Sequence, residues 1–539
     1  MATSFLSLED VSCVLPNGEL LFSHLNESFD QRHTGLVGRN GVGKTVLARM
    51  LAGQLEPSSG RCVRSGALVH YLAQQVSTQA GGTVADLAGV RGVLEALQRI
   101  EAGSAAPLDF DAVGDRWDIR SQLLQALEQQ GLHHLASDTP AAMLSGGEAM
   151  RVAWAGAQLS GANFLILDEP SNHLDQPSRE ALIKGLARWP HGLLVISHDR
   201  QLLESMERIV ELSSLGLRSY GGNYSFYAQA KAQEQQGALA ELDRAKRERR
   251  REEQSMREQR ARQEKRQAQG DRDGKQANQA KILLDLQKER SDQSAGKLRR
   301  QHAAAELKLA QRVREAAGQV ANEADIHLHA PVHSGAAQRH VVELDDVELP
   351  FVSPGTRHVS LLVTGQQRIG LIGPNGSGKS TLLQVLAGRL SPAAGRCRIT
   401  HSLAYLDQRL DSLDAERTVL EQLQAASSGL SEGELRMRLA QLGLDAGKVM
   451  VASGRLSGGE RLKAALACIL YADTPPPLLL LDEPSNHLDL PSLQALETLL
   501  RGYQGALVVA SHDQAFLDQL GLTHLMAATP AGWQLSHAG

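Results

Sequence analysis

The 539-residue sequence predicts an α/β fold that occurs in two tandem copies, with a long antiparallel α-helical hairpin between them. Three observations predict this fold class. Several short motifs occur twice, short apolar runs alternate with helical patterns inside each copy, and no proline lies between Pro190 and Pro331. We place the first copy at residues 1–223, the hairpin at 224–338 and the second copy at 339–539.

The motifs themselves show the repeat. The glycine-rich loop before Lys44 returns before Lys379, Leu-Ser-Gly-Gly-Glu at 144–148 returns at 456–460, and Leu-Asp-Glu-Pro-Ser-Asn-His-Leu-Asp at 167–175 returns at 481–489. The matching order indicates a duplicated unit. Apolar runs in both copies predict buried parallel strands, at residues 36–37, 164–167 and 193–196 and again at 370–372, 478–481 and 506–509.

The two glycine-rich loops have the pattern G-x-x-x-x-G-K-[ST], which binds phosphate by its geometry. Glycines let successive backbone N–H groups point inward, and the N-terminus of the following helix adds partial positive charge. The lysine then reaches the β- and γ-phosphates, and the next hydroxyl ligates Mg²⁺. The predicted nucleotide-binding residues are Gly38, Asn40, Gly41, Gly43, Lys44 and Thr45, and in the second copy Gly373, Asn375, Gly376, Gly378, Lys379, Ser380 and Thr381.

Acidic residues follow an apolar run in each copy. Asp168 and Asp482 end these runs, where a carboxylate is placed to hold Mg²⁺ together with Thr45 or Ser380. Glu169 and Glu483 come next and would polarise an attacking water molecule. An acidic pair at this place could also be an ordinary solvated strand end, and the neighbouring motifs favour the catalytic interpretation.

Two further polar residues occur at matched spacing. Gln74 and Gln408 lie 30 and 29 residues after their lysines, and His198 and His512 each lie 30 residues after their aspartate. We predict that the glutamines contact Mg²⁺ and water, and that the histidines contact the γ-phosphate. A lone histidine at a strand end is more often structural, so the repeated spacing is what favours a catalytic role.

The segment between the copies is basic. Residues 241–314 contain 22 Lys and Arg against 13 Asp and Glu, a net charge of +9, whereas the whole chain carries −5. A basic arm between two acidic bodies suggests a polyanionic partner for the arm. The alternative is a solvated helix face.

The same segment has helical composition. We predict one helix from Tyr224 to about Ala268, a turn at the cluster that contains Gly270 and Gly274, and a second arm over 276–317. The hairpin tip would lie at about residues 269–296. A wider tip that ends at Gly296 is the alternative, because this glycine weakens the second arm by about 1 kcal/mol.

The Leu-Ser-Gly-Gly-Glu motif predicts a helix N-terminus with exposed N–H groups, which is a second phosphate clamp. With the other motifs, it resembles the signature of ATP-binding cassette ATPases, and we name residues 1–223 cassette 1 and residues 339–539 cassette 2. The resemblance implies that each ATP lies between the cassettes. Ser457, Gly458 and Gly459 would then cap the ATP on Lys44, and Ser145, Gly146 and Gly147 would cap the ATP on Lys379.

Two cassettes in one chain, the Glu-Pro-Ser-Asn-His-Leu-Asp sequence in each and the basic hairpin resemble the ABC-F subfamily. Ser171 and Ser485 replace the more usual threonine. The resemblance implies a cytoplasmic, Mg²⁺-dependent ATPase, monomeric with paired cassettes. It also implies that the ATP-closed protein binds the ribosome and points the hairpin at tRNA and the peptidyl-transferase centre. The alternatives are an ATPase subunit of a membrane transporter and a DNA-binding or repair ATPase.

Composition argues against other classes. Aromatic residues are 4% of the chain, too few for a base-stacking surface, and the four cysteines include no C-x-x-C pair. We expect no signal peptide and no membrane span. His327 and His329 could ligate a metal, but no Cys or carboxylate lies at ligand spacing. Leu15 stands where an adenine-stacking aromatic is expected in cassette 1, and Phe351 is its counterpart in cassette 2 or a core residue.

Overall fold

The computed structural model describes most of the chain. The described residues are 4–74, 81–172, 174–276, 303–304, 306–317, 340–399, 402–407, 413–444, 446–486 and 488–538. They form two compact units, one that contains both cassettes and one that contains the described residues between Tyr227 and Ala324. Each unit is considered by itself below.

Cassette 1 contains a six-stranded sheet and a three-stranded antiparallel sheet. The six-stranded sheet has the order β5-β6-β7-β3-β8-β9, parallel except for the antiparallel pair β8–β9, and the smaller sheet has the order β2-β1-β4. The strands are β1 Phe5–Val14, β2 Leu20–Phe29, β3 His33–Gly38, β4 Ser59–Ser65, β5 Val69–Leu72, β6 Phe164–Asp168, β7 Gly192–Ile196, β8 Arg208–Ser213 and β9 Gly216–Gly221.

Cassette 2 repeats this arrangement. Its larger sheet has the order β14-β15-β16-β12-β17-β18, and its smaller sheet has the order β11-β10-β13. The strands are β10 His340–Glu348, β11 His358–Thr364, β12 Arg368–Ile372, β13 Ala394–Ile399, β14 Leu403–Leu406, β15 Leu478–Asp482, β16 Ala506–Ala510, β17 His524–Thr529 and β18 Gly532–His537. All six strands predicted from apolar runs are confirmed, and β3, β6, β7, β12, β15 and β16 contain them.

Helices complete both cassettes and the linker. In cassette 1 they are α1 Lys44–Leu51, α2 Val84–Leu87, α3 Arg91–Glu101, α4 Pro107–Val113, α5 Ile119–Gln129, α6 Gly146–Leu159, α7 Gln176–Ala187 and α8 Arg200–Glu204. The linker contributes α9 Tyr224–Gln276 and α10 at 306–317. In cassette 2 they are α11 Lys379–Leu386, α12 Val419–Ala426, α13 Glu432–Gln441, α14 Gly458–Leu470, α15 Leu490–Gly502 and α16 Gln514–Gln519.

The central strands are buried on both faces. Every residue of β6, β7, β15 and β16 is buried. This is the environment expected for parallel strands covered by other layers, and it explains their unbroken apolar sequences. Because two such strands end at the same edge of each sheet, the polar residues that follow them are brought together there.

The linker helix is longer than predicted. Helix α9 has 53 residues and continues through Gly270 and Gly274, so the predicted interruption at these glycines is wrong. A glycine in a helix interior costs about 1 kcal/mol relative to alanine, which long flanking runs of helix-forming residues can offset. Residues 277–302, which would contain the rest of the predicted tip, lie outside the described residues, as do His327 and His329.

The two described linker helices contact each other. The Arg312 guanidinium of α10 lies 3.1 Å from a carboxylate oxygen of Glu248 in α9. Leu242, Ala245 and Met256 of α9 are buried in spite of the helix's polar sequence. An arm that returns along α9 is consistent with both observations, and the connection between the arms stays a prediction. None of the helices that the structure describes is long and apolar enough to cross a membrane.

Candidate functional site

Both glycine-rich loops connect a central strand to a helix. In cassette 1 the loop lies between β3 and α1, and its last residue, Gly43, is the α1 N-cap in the left-handed region at φ 103°. A Cβ atom at Gly43 would lie 2.7 Å from Cδ2 of Leu21. Gly378 occupies the same position before α11 at φ 95°. Glycine suits this backbone and this space, and it allows the loop to curve around the helix N-terminus.

The two loop lysines lie inside their loops. Nζ of Lys44 donates to the carbonyl oxygens of Gly38 at 2.7 Å and Arg39 at 3.0 Å, and Nζ of Lys379 donates to Gly373 at 2.8 Å and Pro374 at 3.0 Å. Burial lowers the pKa of both lysines, and neighbouring carboxylates, first Glu169 for Lys44 and Glu483 for Lys379, act in the opposite direction. Each loop thus holds a buried amine at the first residue of the helix that follows it.

Oxygen donors suitable for Mg²⁺ lie next to each loop. Oγ of Ser380 donates to Oδ1 of Asp482 at 3.1 Å. Burial raises the pKa of Asp168, and hydrogen bonds from the Thr45 and Tyr71 hydroxyls lower it. Oδ1 of Asp168 is buried and has no hydrogen-bond donor in good geometry within the described chain. A hard cation prefers a hydroxyl and a carboxylate of this kind, so the residues fit Mg²⁺.

Each predicted catalytic glutamate is paired with the predicted histidine of its own cassette. Oε1 of Glu169 lies 3.3 Å from Nε2 of His198, and the matching atoms of Glu483 and His512 are 3.5 Å apart. Burial raises the pKa of Glu169 to about 8 and that of Glu483 to about 7. Burial also lowers the pKa of His198 to about 3 and that of His512 to about 4. The histidines are therefore neutral near pH 7.

The predicted glutamines are only partly described. Gln74 follows β5 and lines the same cavity as Lys44, Asp168 and Glu169. Gln408 lies outside the described residues. The structure therefore places Gln74 in the cavity, and its contact with Mg²⁺ and water stays a prediction.

Both Ser-Gly-Gly motifs begin a helix. Ser145 caps α6 and Ser457 caps α14, and in each case the serine accepts from the backbone N–H three residues later while Glu148 or Glu460 bonds back to the serine N–H. These reciprocal capping boxes leave Gly146 and Gly147 at the start of α6, and Gly458 and Gly459 at the start of α14. The predicted helix N-termini are confirmed.

Residues of both cassettes line one cavity of about 510 Å³. Lys44, Thr45 and Asp168 of cassette 1 line it together with Ser457 and Gly458 of cassette 2. We name this cavity site 1. We give the name site 2 to the reciprocal set that the signature motif implies, Lys379 with the α6 N-terminus at Ser145. Residues from both cassettes therefore form site 1, as the signature motif implied.

Two aspartates connect the cassettes at both sites. Oδ2 of Asp489 in cassette 2 accepts from the Asn40 backbone N–H in the cassette 1 glycine loop at 2.8 Å. Oδ2 of Asp175 in cassette 1 accepts from the Asn375 backbone N–H at 3.5 Å. Each aspartate also caps its own helix, α15 or α7. The loop of each cassette is thus held by the helix N-terminus of the other.

Sequence reasoning missed several residues of this region. The Tyr71 hydroxyl donates to Oδ2 of Asp168 at 3.2 Å, and Tyr405 makes a longer contact of 3.5 Å with Asp482. Arg179 crosses between the cassettes and donates to the His512 carbonyl oxygen at 3.1 Å. The repeated Tyr-Leu before Gln74 and Gln408 was a signal for the tyrosines, whereas Arg179 has no counterpart in the repeat.

The two residues considered for adenine binding have different surroundings. Leu15 lines site 1 beside Leu21 and Val46, so this part of the cavity is aliphatic. Phe351 has 96% of its surface exposed, which excludes the core interpretation. It lies directly before Val352, which contacts the position of Gly378 in the second loop.

Comparisons with known proteins match both cassettes to one family. The profile of the ABC transporter family matches residues 27–172 and 356–486. The chain is 31% identical to the energy-dependent translational throttle protein EttA of Mycobacterium tuberculosis over 92% of this chain and 86% of EttA. It is 29% identical to ABC transporter F family member 5 of Arabidopsis thaliana, over 90% of this chain and 69% of that protein.

Solved structures have the same fold. The complex of archaeal ribosomal stalk protein aP1 with the archaeal ribosome recycling factor aABCE1 matches with a TM-score of 0.59 at 19% identity. The match covers 98% of this chain and 89% of the other chain. This likeness supports the tandem α/β architecture.

Proposed function

This chain is an ATPase of the ABC-F branch of the ATP-binding cassette family, and from that premise we propose that it acts on the ribosome. In this proposal a cytoplasmic monomer binds two ATP molecules between its own cassettes. The ATP-closed form binds ribosomal RNA and directs the basic linker toward tRNA and the peptidyl-transferase centre. Hydrolysis of ATP then releases the protein.

The arrangement of site 1 supports the ATP step. Loop N–H groups and Lys44 bind the phosphates from cassette 1, and the α14 N-terminus at Ser457 approaches from cassette 2. Thr45 and Asp168 would hold Mg²⁺, which when bound supplies positive charge to the β- and γ-phosphate oxygens. Glu169 orients the attacking water. In its ionised form, which the charge of bound Mg²⁺ would favour against the effect of burial, it accepts the water proton as the oxygen attacks the γ-phosphorus. Because both cassettes contact one nucleotide, ATP favours the closed pair.

The observation that carries the ribosome proposal is the exposed basic surface of α9. Among the side chains that the structure describes between 244 and 265, nine Lys and Arg are exposed, and they are Arg244, Lys246, Arg247, Arg249, Arg250, Arg251, Arg257, Arg262 and Lys265. The 53 residues of α9 extend about 80 Å at 1.5 Å per residue. Such a helix can follow RNA phosphates over a long distance without reading base sequence. The name of the relative EttA, a translational throttle, agrees with this proposal.

The test is co-sedimentation of a hydrolysis-deficient chain with ribosomes. The double variant Glu169→Gln, Glu483→Gln removes both water-orienting carboxylates while leaving the loops and signature helices in place. With ATP it is expected to co-sediment with ribosomes on a sucrose gradient and to block translation. The control is Glu180→Gln, which changes an exposed carboxylate on α7 and should leave cycling unchanged. A double variant that stays at the top of the gradient at low salt contradicts the proposal.

A second comparison tests the role of the linker. A triple change, Arg250→Gln, Arg251→Gln and Arg257→Gln, is made in the double-variant background. The slope of log K for ribosome binding against log salt concentration should then become shallower by about two. The charge-matched control changes the exposed Arg61, Arg396 and Arg398, which lie on the small sheets of the cassettes. Equal binding to naked duplex DNA and to ribosomes would instead favour a DNA-binding ATPase.

A further inference from the structure

One difference between the two nucleotide sites lies where the cassettes meet. Arg179 lies on α7 four residues after Asp175, and the same position on α15, four residues after Asp489, is Leu493. Asp-x-Pro-Ser precedes each of the two positions, and Ala-Leu follows each after one further residue. A long cation in one copy and an aliphatic side chain in the other make the interface chemically unequal.

Arg179 is held at both ends of its guanidinium. Nη1 donates to the carbonyl oxygen of His512 in cassette 2 at 3.1 Å. Nε lies 3.1 Å from Oδ2 of Asp199 in its own cassette, and both side chains are only 10% exposed. Asp199 is itself fixed, because Oδ1 accepts from the backbone N–H groups of Gln201 and Leu202 at the start of α8. The guanidinium therefore has little freedom to leave the His512 carbonyl.

The residue that Arg179 holds is the one that orients Glu483. The His512 backbone N–H donates to Oε2 of Glu483 at 3.3 Å, and its Nε2 lies 3.5 Å from Oε1. Holding the carbonyl oxygen of His512 restricts rotation of the residue that contacts both oxygens of the Glu483 carboxylate. In the equivalent place at site 1, Leu493 lines the cavity and has no hydrogen-bond donor to offer the His198 carbonyl.

We propose that Arg179 is a positioning residue supplied by cassette 1 for hydrolysis at site 2, and that site 1 works without an equivalent. The inference rests on the proposed hydrolysis of ATP at both sites. In that reaction the water oxygen bonds to the γ-phosphorus, the bond to the β–γ bridging oxygen breaks, and Glu483 takes the water proton. Arg179 also lines the site 1 cavity, but it transfers no proton, and its role at site 2 is exerted through the His512 carbonyl.

The experiment is a rapid-quench single turnover of the purified full chain without ribosomes, with two equivalents of Mg²⁺–ATP per chain. Arg179→Leu is expected to slow hydrolysis of one of the two equivalents by about tenfold or more and to leave the other within about twofold. Glu483→Gln should abolish the equivalent that Arg179→Leu slows. Adding Arg179→Leu to Glu483→Gln should therefore have no further effect.

Two other variants separate positioning from loss of structure. Arg179→Lys keeps a cation of similar reach and is expected to recover part of the rate, while Arg188→Leu changes an exposed arginine at the end of the same helix and should leave both equivalents unchanged. If Arg179→Leu slows both equivalents equally, or neither, the proposal is overturned. Because no ribosomes are present, a failed gradient experiment would leave this result standing. A wild-type chain that hydrolyses no ATP would overturn both proposals.

Discussion

The predicted catalytic glutamates have a strained backbone in both cassettes. Glu169 has a φ of 49° and Glu483 a φ of 50°, in the left-handed region that non-glycine residues rarely adopt. Each backbone N–H is fixed by a carbonyl on the neighbouring strand, Ile196 at 2.8 Å and Ala510 at 2.9 Å. A cost of about 1–3 kcal/mol at each position is retained in two separate copies, as is usual where strain sets a functional geometry.

The Tyr71 hydroxyl orients the carboxylate that is proposed to hold Mg²⁺. Tyr71→Phe removes the 3.2 Å hydrogen bond to Asp168 and leaves the ring in place. Loss of a hydrogen bond to a metal-binding side chain typically weakens metal affinity by about 10–100-fold. We therefore expect the Mg²⁺ concentration for half-maximal ATPase activity to rise by at least about tenfold, as measured by a metal titration of the steady-state rate.

Tyr503→Phe is the matched control for this prediction. The Tyr503 hydroxyl donates to the Pro476 carbonyl oxygen, away from both metal-binding carboxylates. The control should change thermal stability without changing the Mg²⁺ requirement. Equal Mg²⁺ curves for Tyr71→Phe and the wild type would show that Tyr71 has no part in orienting Asp168.

Local motifs predicted the loop and strand-end residues because their chemistry depends on neighbours in sequence. Lys44, Asp168 and Glu169 lie in the structure where their motifs placed them. The target of the Tyr71 hydroxyl depends instead on the pairing of β5 with β6, which lie more than 90 residues apart. Arg179 depends on the pairing of the cassettes, so neither role follows from the repeat alone.

Helix N-termini are among the elements that join the two cassettes. Asp489 caps α15 through the Ser492 backbone N–H at 2.9 Å and also accepts from the Asn40 N–H across the interface. Asp175 does the same for α7 and Asn375 at longer distance. One carboxylate therefore fixes a helix start and a glycine loop of the opposite cassette.

Asp489→Ala should affect both stability and catalysis. Loss of an N-cap costs about 1 kcal/mol, which lowers the unfolding midpoint of a domain this size by about 2–4 °C. Loss of the contact with Asn40 should also raise the KM for ATP several-fold. Calorimetry and steady-state ATPase assays measure the two effects.

Ser431→Ala gives a control with the cap effect alone. Ser431 caps α13 through a capping box with Glu434. We expect a similar fall in the unfolding midpoint and an unchanged KM for ATP. A similar rise in KM for Ser431→Ala would mean that Asp489 acts through general stability rather than through the loop.

The elements were predicted more reliably than their ends. Apolar runs located six central strands because parallel strands covered on both faces need unbroken apolar sequence. The end of α9 was misplaced because glycine lowers helix stability locally, whereas helix continuity depends on the sum over many residues. Single-residue breaker rules are weakest in long, strongly helical segments of this kind.

The pairing of the cassettes includes a buried ion pair. Nη1 of Arg200 in cassette 1 lies 2.8 Å from Oε1 of Glu497 in cassette 2, and Nη2 donates to Oε2 at 3.2 Å. The two side chains are 13% and 9% exposed. Burial raises the pKa of Glu497, and Arg200 acts against that shift. Arg200 follows His198 by two residues, so the pair lies close to site 1 in sequence.

Breaking this pair should be more harmful than replacing it. Glu497→Ala leaves the Arg200 guanidinium buried opposite an apolar side chain, which costs about 3–5 kcal/mol. Arg200→Met combined with Glu497→Leu removes both charges at similar volume and should recover most of that loss. A double-mutant cycle on the free energy of unfolding measures the coupling between the two positions.

The exposed pair Arg120–Glu101, separated by 3.4 Å with side chains 48% and 59% exposed, provides the comparison. Water screens both of its charges, so the same substitutions there should change stability by less than about 1 kcal/mol. If the combined Arg200 and Glu497 change destabilises the chain by the sum of its single changes, the two side chains are uncoupled. The association of the two cassettes would then depend on the Asp175 and Asp489 contacts instead.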